Sequence, residues 1–451
     1  MEWLYFVVLI AFVAIMFTIV RRPMYEVIFL AFIFLVIISG NLSNIGTYLY
    51  NTASNYMLFS ISAFIAFGMI FEKTGIISDM INIIVSIVGR FSGGAGYVAL
   101  VGSAAMGALS GTGPGNAAAI GVITIPAMKR SGFSAEMAAT IEMAASSLGP
   151  IIPPAGAIVL CHSILVTMYP EYTFSQFWLL AWAVSFWLLL QRFITLYILI
   201  KRQHVAPIPK EQRPTFKQAM KEGWRSLLLP VIIFIPFMFD ALFNDTLVAA
   251  RLGEEAAGVF SNILLTVIPS VASLVVVLLY VQKGNRFSFK ELANAFYGGE
   301  GSVAPVLVMA FAGFAITELF TDMGVAESLS ASLAGISIPR WFVAIVIPLI
   351  FTFLGMFMEP MSIVSMFCGA FIPIAVSVGI HPMLAAMMVN VMCLAMGHMT
   401  PPFALCLFVC MGIAESDYQK TVKLTIVWCV GQYILTVAIL MGWIPMFGLL
   451  S

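Results

Sequence analysis

Six stretches of the chain are apolar almost without interruption: Leu4–Val20, Tyr25–Ile38, Phe174–Ile200, Leu227–Phe243, Phe260–Val281 and Val422–Trp443. A bilayer core takes about 20 apolar residues as helix, so this pattern predicts membrane-spanning helices. Between them lie two longer apolar stretches, Tyr56–Met168 and Val303–Ile413, cut repeatedly by Gly, Pro, Ser and Thr. Their pieces are too short to cross a bilayer alone.

The two interrupted stretches resemble each other. The first contains Phe71-Glu-Lys-Thr-Gly75, Gly107, Ile125-Pro126, Gly132 and Gly149-Pro-Ile-Ile-Pro153-Pro154. The second contains Phe320-Thr-Asp-Met-Gly324, Gly355, Ile372-Pro373, Gly379 and Gly397-His-Met-Thr-Pro401-Pro402. Gly75 to Gly324 is 249 residues, Gly107 to Gly355 is 248, Pro126 to Pro373 is 247 and Pro153 to Pro401 is 248. A nearly constant offset across ordered landmarks marks an internal repeat. Each copy carries two helix breaks, Ser110–Asn116 with Gly149–Pro154, and Gly355–Ser362 with Gly397–Pro402. The first of each pair predicts the tip of a re-entrant hairpin, the second an unwound turn within the next helix. Repeated halves with broken hydrophobic segments point to a secondary transporter whose site lies where the breaks meet.

Composition removes the soluble alternatives. Of 451 residues 61% are hydrophobic and 9% charged, with a mean hydropathy of +1.04, against roughly 25% charged in soluble domains. The 21 basic and 21 acidic side chains cancel, so their distribution carries the information. Arg21-Arg22, the segment from Lys201 to Arg225, and Lys283, Arg286 and Lys290 form basic loops. By the positive-inside rule these face the cytoplasm and the N-terminus faces outward. The Asp240–Glu255 stretch, with Asp240, Asp245, Glu254 and Glu255, fits the opposite face. The start of the chain lacks a basic region and a small-residue cleavage site, which predicts a first transmembrane helix rather than a removed signal. An amphipathic helix is expected around Phe216–Trp224. The six cysteines sit in apolar runs without metal-ligand spacing and read as small buried hydrophobes.

A broken helix offers carbonyls at one half-helix end and N–H groups at the next. The carbonyls, with Ser, Thr and Asn oxygens, suit a hard, weakly held cation such as sodium, and the N–H ends suit a carboxylate. The candidate cation ligands are Ser110, Thr112, Asn116, Gly149, Pro150, Glu359, Ser362, Gly397 and Thr400. Candidate anion contacts are Gly113, Ser147, Pro154, Pro360 and Pro402, with Ser146 beside them. Glu142 and Asn390, counterparts when the Pro-Pro pairs are aligned, are read either as cation or hydrogen-bonding groups or as tethers of the hairpins. His398, inside the last break, is a candidate proton carrier; His162 reads as packed, His204 and His381 as loop residues. No His-Glu-x-x-His and no Gly-x-x-x-x-Gly-Lys-Ser/Thr occurs. The chain therefore reads as a non-enzyme that hydrolyses no ATP and needs no cofactor beyond a coupling ion.

At these residues the chain resembles the large membrane subunit of tripartite ATP-independent periplasmic (TRAP) transporters. The matching runs are Gly107-Ala-Leu-Ser-Gly-Thr112, Ile125-Pro-Ala-Met128, Ile152-Pro-Pro-Ala155 and Gly397-His-Met-Thr-Pro-Pro-Phe-Ala-Leu-Cys-Leu-Phe-Val409. Thr112–Asn116 replaces a more Ser-rich tip, Ala155 replaces a serine, and Glu359 stands where many members have Asp. No arginine at the breaks is seen that could clamp a carboxylate. The resemblance implies an all-α polytopic membrane protein with two inverted repeats and an elevator mechanism. Residues 1–55, 169–302 (with the connector 201–225) and 414–451 would form the outer helices, with 56–168 and 303–413 as the moving units. It further implies sodium at the hairpin tips and an organic anion between them. A small four-helix membrane subunit and a periplasmic substrate-binding protein would be its partners in a bacterial or archaeal inner membrane, with no role for nucleic acid. A stand-alone anion or drug exporter of the wider superfamily, and a channel, are the alternatives.

Overall fold

The computed structural model describes residues 3–450 except 75, 112, 154, 202–204, 211–212, 291–292, 294–302, 326–327, 329–337, 356–359 and 402–403. Among the described residues every regular element is helical. The first half comprises α1 (Trp3–Thr18), α2 (Met24–Ile38), α3 (Ile45–Ser54), α4 (Tyr56–Thr74), α5 (Ile77–Val88), α6 (Gly94–Ser110), α7 (Gly113–Arg130), α8 (Ala135–Ser146), α9 (Gly156–Met168) and α10 (Phe174–Lys201). Then come α11 (Phe216–Gly223), α12 (Leu228–Phe243) and α13 (Glu254–Gln282). The second half holds α14 (Val303–Asp322), α15 (Arg340–Gly355), α16 (Pro360–Ser377), α17 (Pro382–Asn390), α18 (Leu405–Ala414) and α19 (Tyr418–Leu440).

Among the described residues, four helical stretches are long and apolar enough to cross a membrane: Phe174–Lys201, Phe216–Phe243, Glu255–Gln282 and Tyr418–Leu440. Their outer faces stay apolar and uncovered, as at Val231, Ile235, Val267 and Leu274, a surface suited to lipid and unsuited to water. The first two predicted spans fall short of a full bilayer core. With 16 and 15 residues, α1 and α2 reach only about 22–24 Å at 1.5 Å per residue. The expected amphipathic helix is α11, capped by Thr215 and packed on α5.

The repeat is structural. Each half has a hairpin (α6–α7 and α15–α16), a broken helix (α8–α9 and α17–α18) and a long closing helix (α10 and α19). Gly113 and Pro360 begin the returning arms, and Ala135 and Pro382 begin the broken helices, both pairs 247 residues apart. The halves are inverted. At the foot of the first hairpin, Lys129 Nζ donates to Ala414 O at 2.9 Å and Ala206 N to Ser131 O at 2.9 Å, beside the basic connector. At the foot of the second, Arg340 Nε donates to Leu440 O at 2.8 Å, and His381 lies 5.3 Å, ring to ring, from Tyr172. Each broken helix starts at its own hairpin's foot and finishes at the other's, so the two hairpins insert from opposite ends.

Asp240, at the end of the predicted span Leu227–Phe243, is no exposed charge. It is buried within α12, bonded by Ser175 of α10, Asn244 at 2.6 Å and Ser261 of α13 at 2.8 Å. A carboxylate so supplied with donors ties three helices together instead of meeting solvent.

Candidate functional site

Close backbone approach fixes each hairpin against its broken helix. A Cβ on Gly107 would lie 2.5 Å from the Cα of Gly149, and one on Gly355 would lie 3.0 Å from the Cα of Gly397. Both pairs obey the 248-residue offset (107 to 355, 149 to 397). These glycines are there because only a bare Cα lets the unwound turn nest on the incoming arm.

The first tip turns at Gly111, whose φ of +66° gives α6 a left-handed cap. Its backbone lies against Ala155, where α9 begins. Gly113, the first residue of α7, abuts the second break: a Cβ there would meet Cys406 Sγ and His398 Nδ1, both at 2.9 Å. The tip of one repeat thus touches the unwound turn of the other. One turn along, Asn116 is fully buried and donates through Nδ2 to Ser103 O at 2.8 Å. Its Oδ1 finds no partner among the described residues. A buried amide oxygen without a donor is costly, and a water, a hydrogen-bond donor or a cation would satisfy it.

The first break keeps its polar backbone inside protein, as membrane depth requires. Leu148 O accepts from Ile151 N and Ile152 N at 3.0 Å each, and Ile151 O accepts from Ser185 Oγ of α10 at 3.1 Å. Pro150 O accepts from Asn390 Nδ2 at 3.1 Å, a bond that crosses from one repeat to the other. Glu142 behaves differently from Asn390. It is fully buried and receives Ser103 Oγ at 2.5 Å and Thr124 Oγ1 at 2.6 Å, one from each arm of the first hairpin. Glu142 therefore bonds both arms of its own hairpin, whereas Asn390 bonds across the two halves. The π-turn Val391–Ala395 explains why the two are not equivalent. It adds a residue between the helix start (135 to 382, offset 247) and the break (149 to 397, offset 248). Counted from the helix start, the residue in the place of Glu142 is Val389.

In the second break, Met396 O gathers Met399 N and Thr400 N at 3.0 Å and Thr400 Oγ1 at 2.9 Å. Ala404, at φ +27°, leads into α18; a non-glycine residue there stores of order 1–3 kcal/mol of strain. Behind this turn lies a group that the sequence reading missed. Arg192 of α10 is fully buried, with Nη2 3.4 Å from Met399 Sδ, Nη1 3.4 Å from Trp428 O, and a bond to Gln432 Oε1 of α19. The bare Gly431 makes room for the neighbouring Gln191. A lone Arg in an apolar run signals a functional or buried site by default, and that was the available clue.

The remaining candidates fall as follows. Ser147 Oγ donates to Ala144 O at 2.9 Å and Ser146 Oγ to Glu142 O at 2.8 Å, each back into its own helix. Thr112, Pro154, Glu359 and Pro402 lie outside the described residues, as does His204; for Ser110, Pro360 and Ser362 the backbone alone is described. His162 is packed between Phe174 and Phe177 with Nε2 3.0 Å from Tyr172 O. A cavity of about 360 Å3 lies between α9, α14 and α16, with Tyr169, Thr317, Thr321 and Ser365 in its wall.

The pattern of the whole chain matches one family. The description "Tripartite ATP-independent periplasmic transporter, DctM component" fits residues 6–447. The chain belongs to this family. As a TRAP large permease it is a membrane transporter subunit and not an enzyme. The C4-dicarboxylate TRAP transporter large permease protein DctM of Vibrio cholerae is 26% identical over 86% of this chain and 84% of its own length. The sialic acid TRAP transporter large permease protein SiaM of the same organism is 24% identical over 88% of this chain and 87% of its own. The permease shares its fold with MtrF of Neisseria gonorrhoeae, of a class of antimetabolite efflux pumps. The TM-score is 0.64 at 12% identity, covering 89% of this chain and 83% of that one.

Proposed function

We propose that this permease imports an organic anion by a sodium-coupled elevator cycle, with the coupling ion at the first hairpin tip. The observation that carries this is the unpartnered, fully buried Asn116 Oδ1 at a tip that touches the opposite repeat's break. The carboxylate, sugar-acid or dicarboxylate class follows from the relatives, named for C4-dicarboxylates and sialic acid, and from helix N-termini facing the breaks. A small four-helix membrane subunit would widen the scaffold, and a periplasmic binding protein would deliver the anion. The inner membrane, with the basic loops cytoplasmic and the N-terminus periplasmic, is the matching location.

The test is uptake in proteoliposomes carrying all three components. Uptake is expected to stop when choline replaces sodium at a fixed proton gradient, since moving one charge inward is worth about 2.3 kcal/mol per 100 mV. Undiminished uptake in choline would remove sodium from the reading. Within the site, Asn116→Leu is expected to raise the sodium half-saturation about tenfold or more. Thr400→Val should change it less, because the Thr400 hydroxyl has a partner in Met396 O, to which it donates, whereas Asn116 Oδ1 has none among the described residues. Sodium titration of both variants checks the order.

A further inference from the structure

The two hairpins are built alike, yet their arms are joined by opposite chemistry. In the first, Ser103 of α6 and Thr124 of α7 both donate to the buried carboxyl of Glu142. Their counterparts by the repeat are Phe351 of α15 (103 to 351, offset 248) and Phe371 of α16 (124 to 371, offset 247). These two rings meet edge to face with centroids 5.6 Å apart. The place of Glu142 falls on Val389 or Asn390, so neither alignment puts a carboxyl at that position. Ser103 also links Glu142 to the tip. Its Oγ binds the carboxyl while its backbone oxygen holds Asn116 Nδ2 at 2.8 Å, leaving Asn116 Oδ1 as the open end.

We propose that Glu142 is a positioning residue for the cation at the first hairpin tip, fixing Asn116 through Ser103. This rests on the reading of sodium coupling above. The groups facing Glu142 are few. Ser103 and Thr124 approach from α6 and α7, and the thiols of Cys406 and Cys410 from α18. On α19, Thr425 lies against the adjacent Met143. No lysine, arginine or histidine hydrogen-bonds to Glu142 among the described residues. A sodium ion at the tip is the cation the carboxylate would serve.

The experiment measures sodium half-saturation of uptake in the assembled three-component system, at one fixed pH, for wild type, Glu142→Gln and Thr124→Val. Glu142→Gln keeps the size and removes the carboxyl. It is expected to raise half-saturation about tenfold, a larger change than any fall in maximal rate. Thr124→Val, which strips one donor from the carboxylate, should raise it about threefold. A Glu142→Gln protein with wild-type half-saturation, or with a lower maximal rate alone, overturns the proposal and leaves Glu142 a packing tether. Where Glu142→Gln fails to assemble, an unchanged half-saturation in Thr124→Val overturns it equally. Sodium-independent uptake in the wild type would instead defeat the coupling reading itself, which is a different result.

Discussion

Gly107→Ala is expected to abolish uptake and to lower the thermal stability of the purified permease, while Gly102→Ala leaves both near wild type. The same methyl group is added to the same helix in each case. At Gly107 it would sit 2.5 Å from the Cα of Gly149, backbone against backbone, where neither side has a rotamer to yield. At Gly102 the nearest atoms, on Ile120 and Ile81, are 3.9 Å away. Overpacking of a close core contact costs about 1–3 kcal/mol, and here relief requires moving the unwound turn that holds Pro150 and Asn390 together. Gly355→Ala, at 3.0 Å from Gly397, should fall between the two. Thermal unfolding of the solubilised complex and uptake of the three variants give the ranking. A Gly107→Ala protein as active as wild type would mean that the hairpin does not seat on the break.

The second large effect concerns the buried guanidinium. Gln432→Leu is expected to destabilise the permease by about 2–3 kcal/mol, and to do so more than Arg192→Met. The described partners of Arg192 are all neutral: Gln432 Oε1, Trp428 O, Gln191 Oε1 at 3.2 Å and Met399 Sδ. Removing Gln432 leaves the charge buried with fewer acceptors, whereas Met at position 192 fills much of the same volume and abolishes the charge. Gln432 also reaches Val391 O in the π-turn at 3.4 Å, so its loss loosens the approach to the second break. Unfolding curves of the two single variants decide the matter. A more damaging Arg192→Met would show that the positive charge itself is needed.

The extended apolar runs, the repeat and the four breaks were legible in the sequence, because run length and the placement of Gly and Pro are local properties. Hydrophobic length dictates helix and membrane, and a glycine or proline inside such a run dictates an interruption whatever surrounds it. Pairing the copies at offsets near 248 even matched Gly107–Gly149 with Gly355–Gly397 before any contact was known. What a side chain touches was not legible. Glu142 meets Ser103 39 residues away, Asn390 meets Pro150 240 residues away, and Arg192 meets Gln432 also 240 residues away. The one-residue π-turn at Val391–Ala395 leaves no mark in composition, yet it separates the roles of Glu142 and Asn390. Asp240, which the sequence places only near the end of a span in an acidic stretch, is a buried knot of three helices for the same reason. Elements follow from neighbours in sequence; the partner that satisfies a buried polar group is set by neighbours in space, and those exist only once the two repeats have packed.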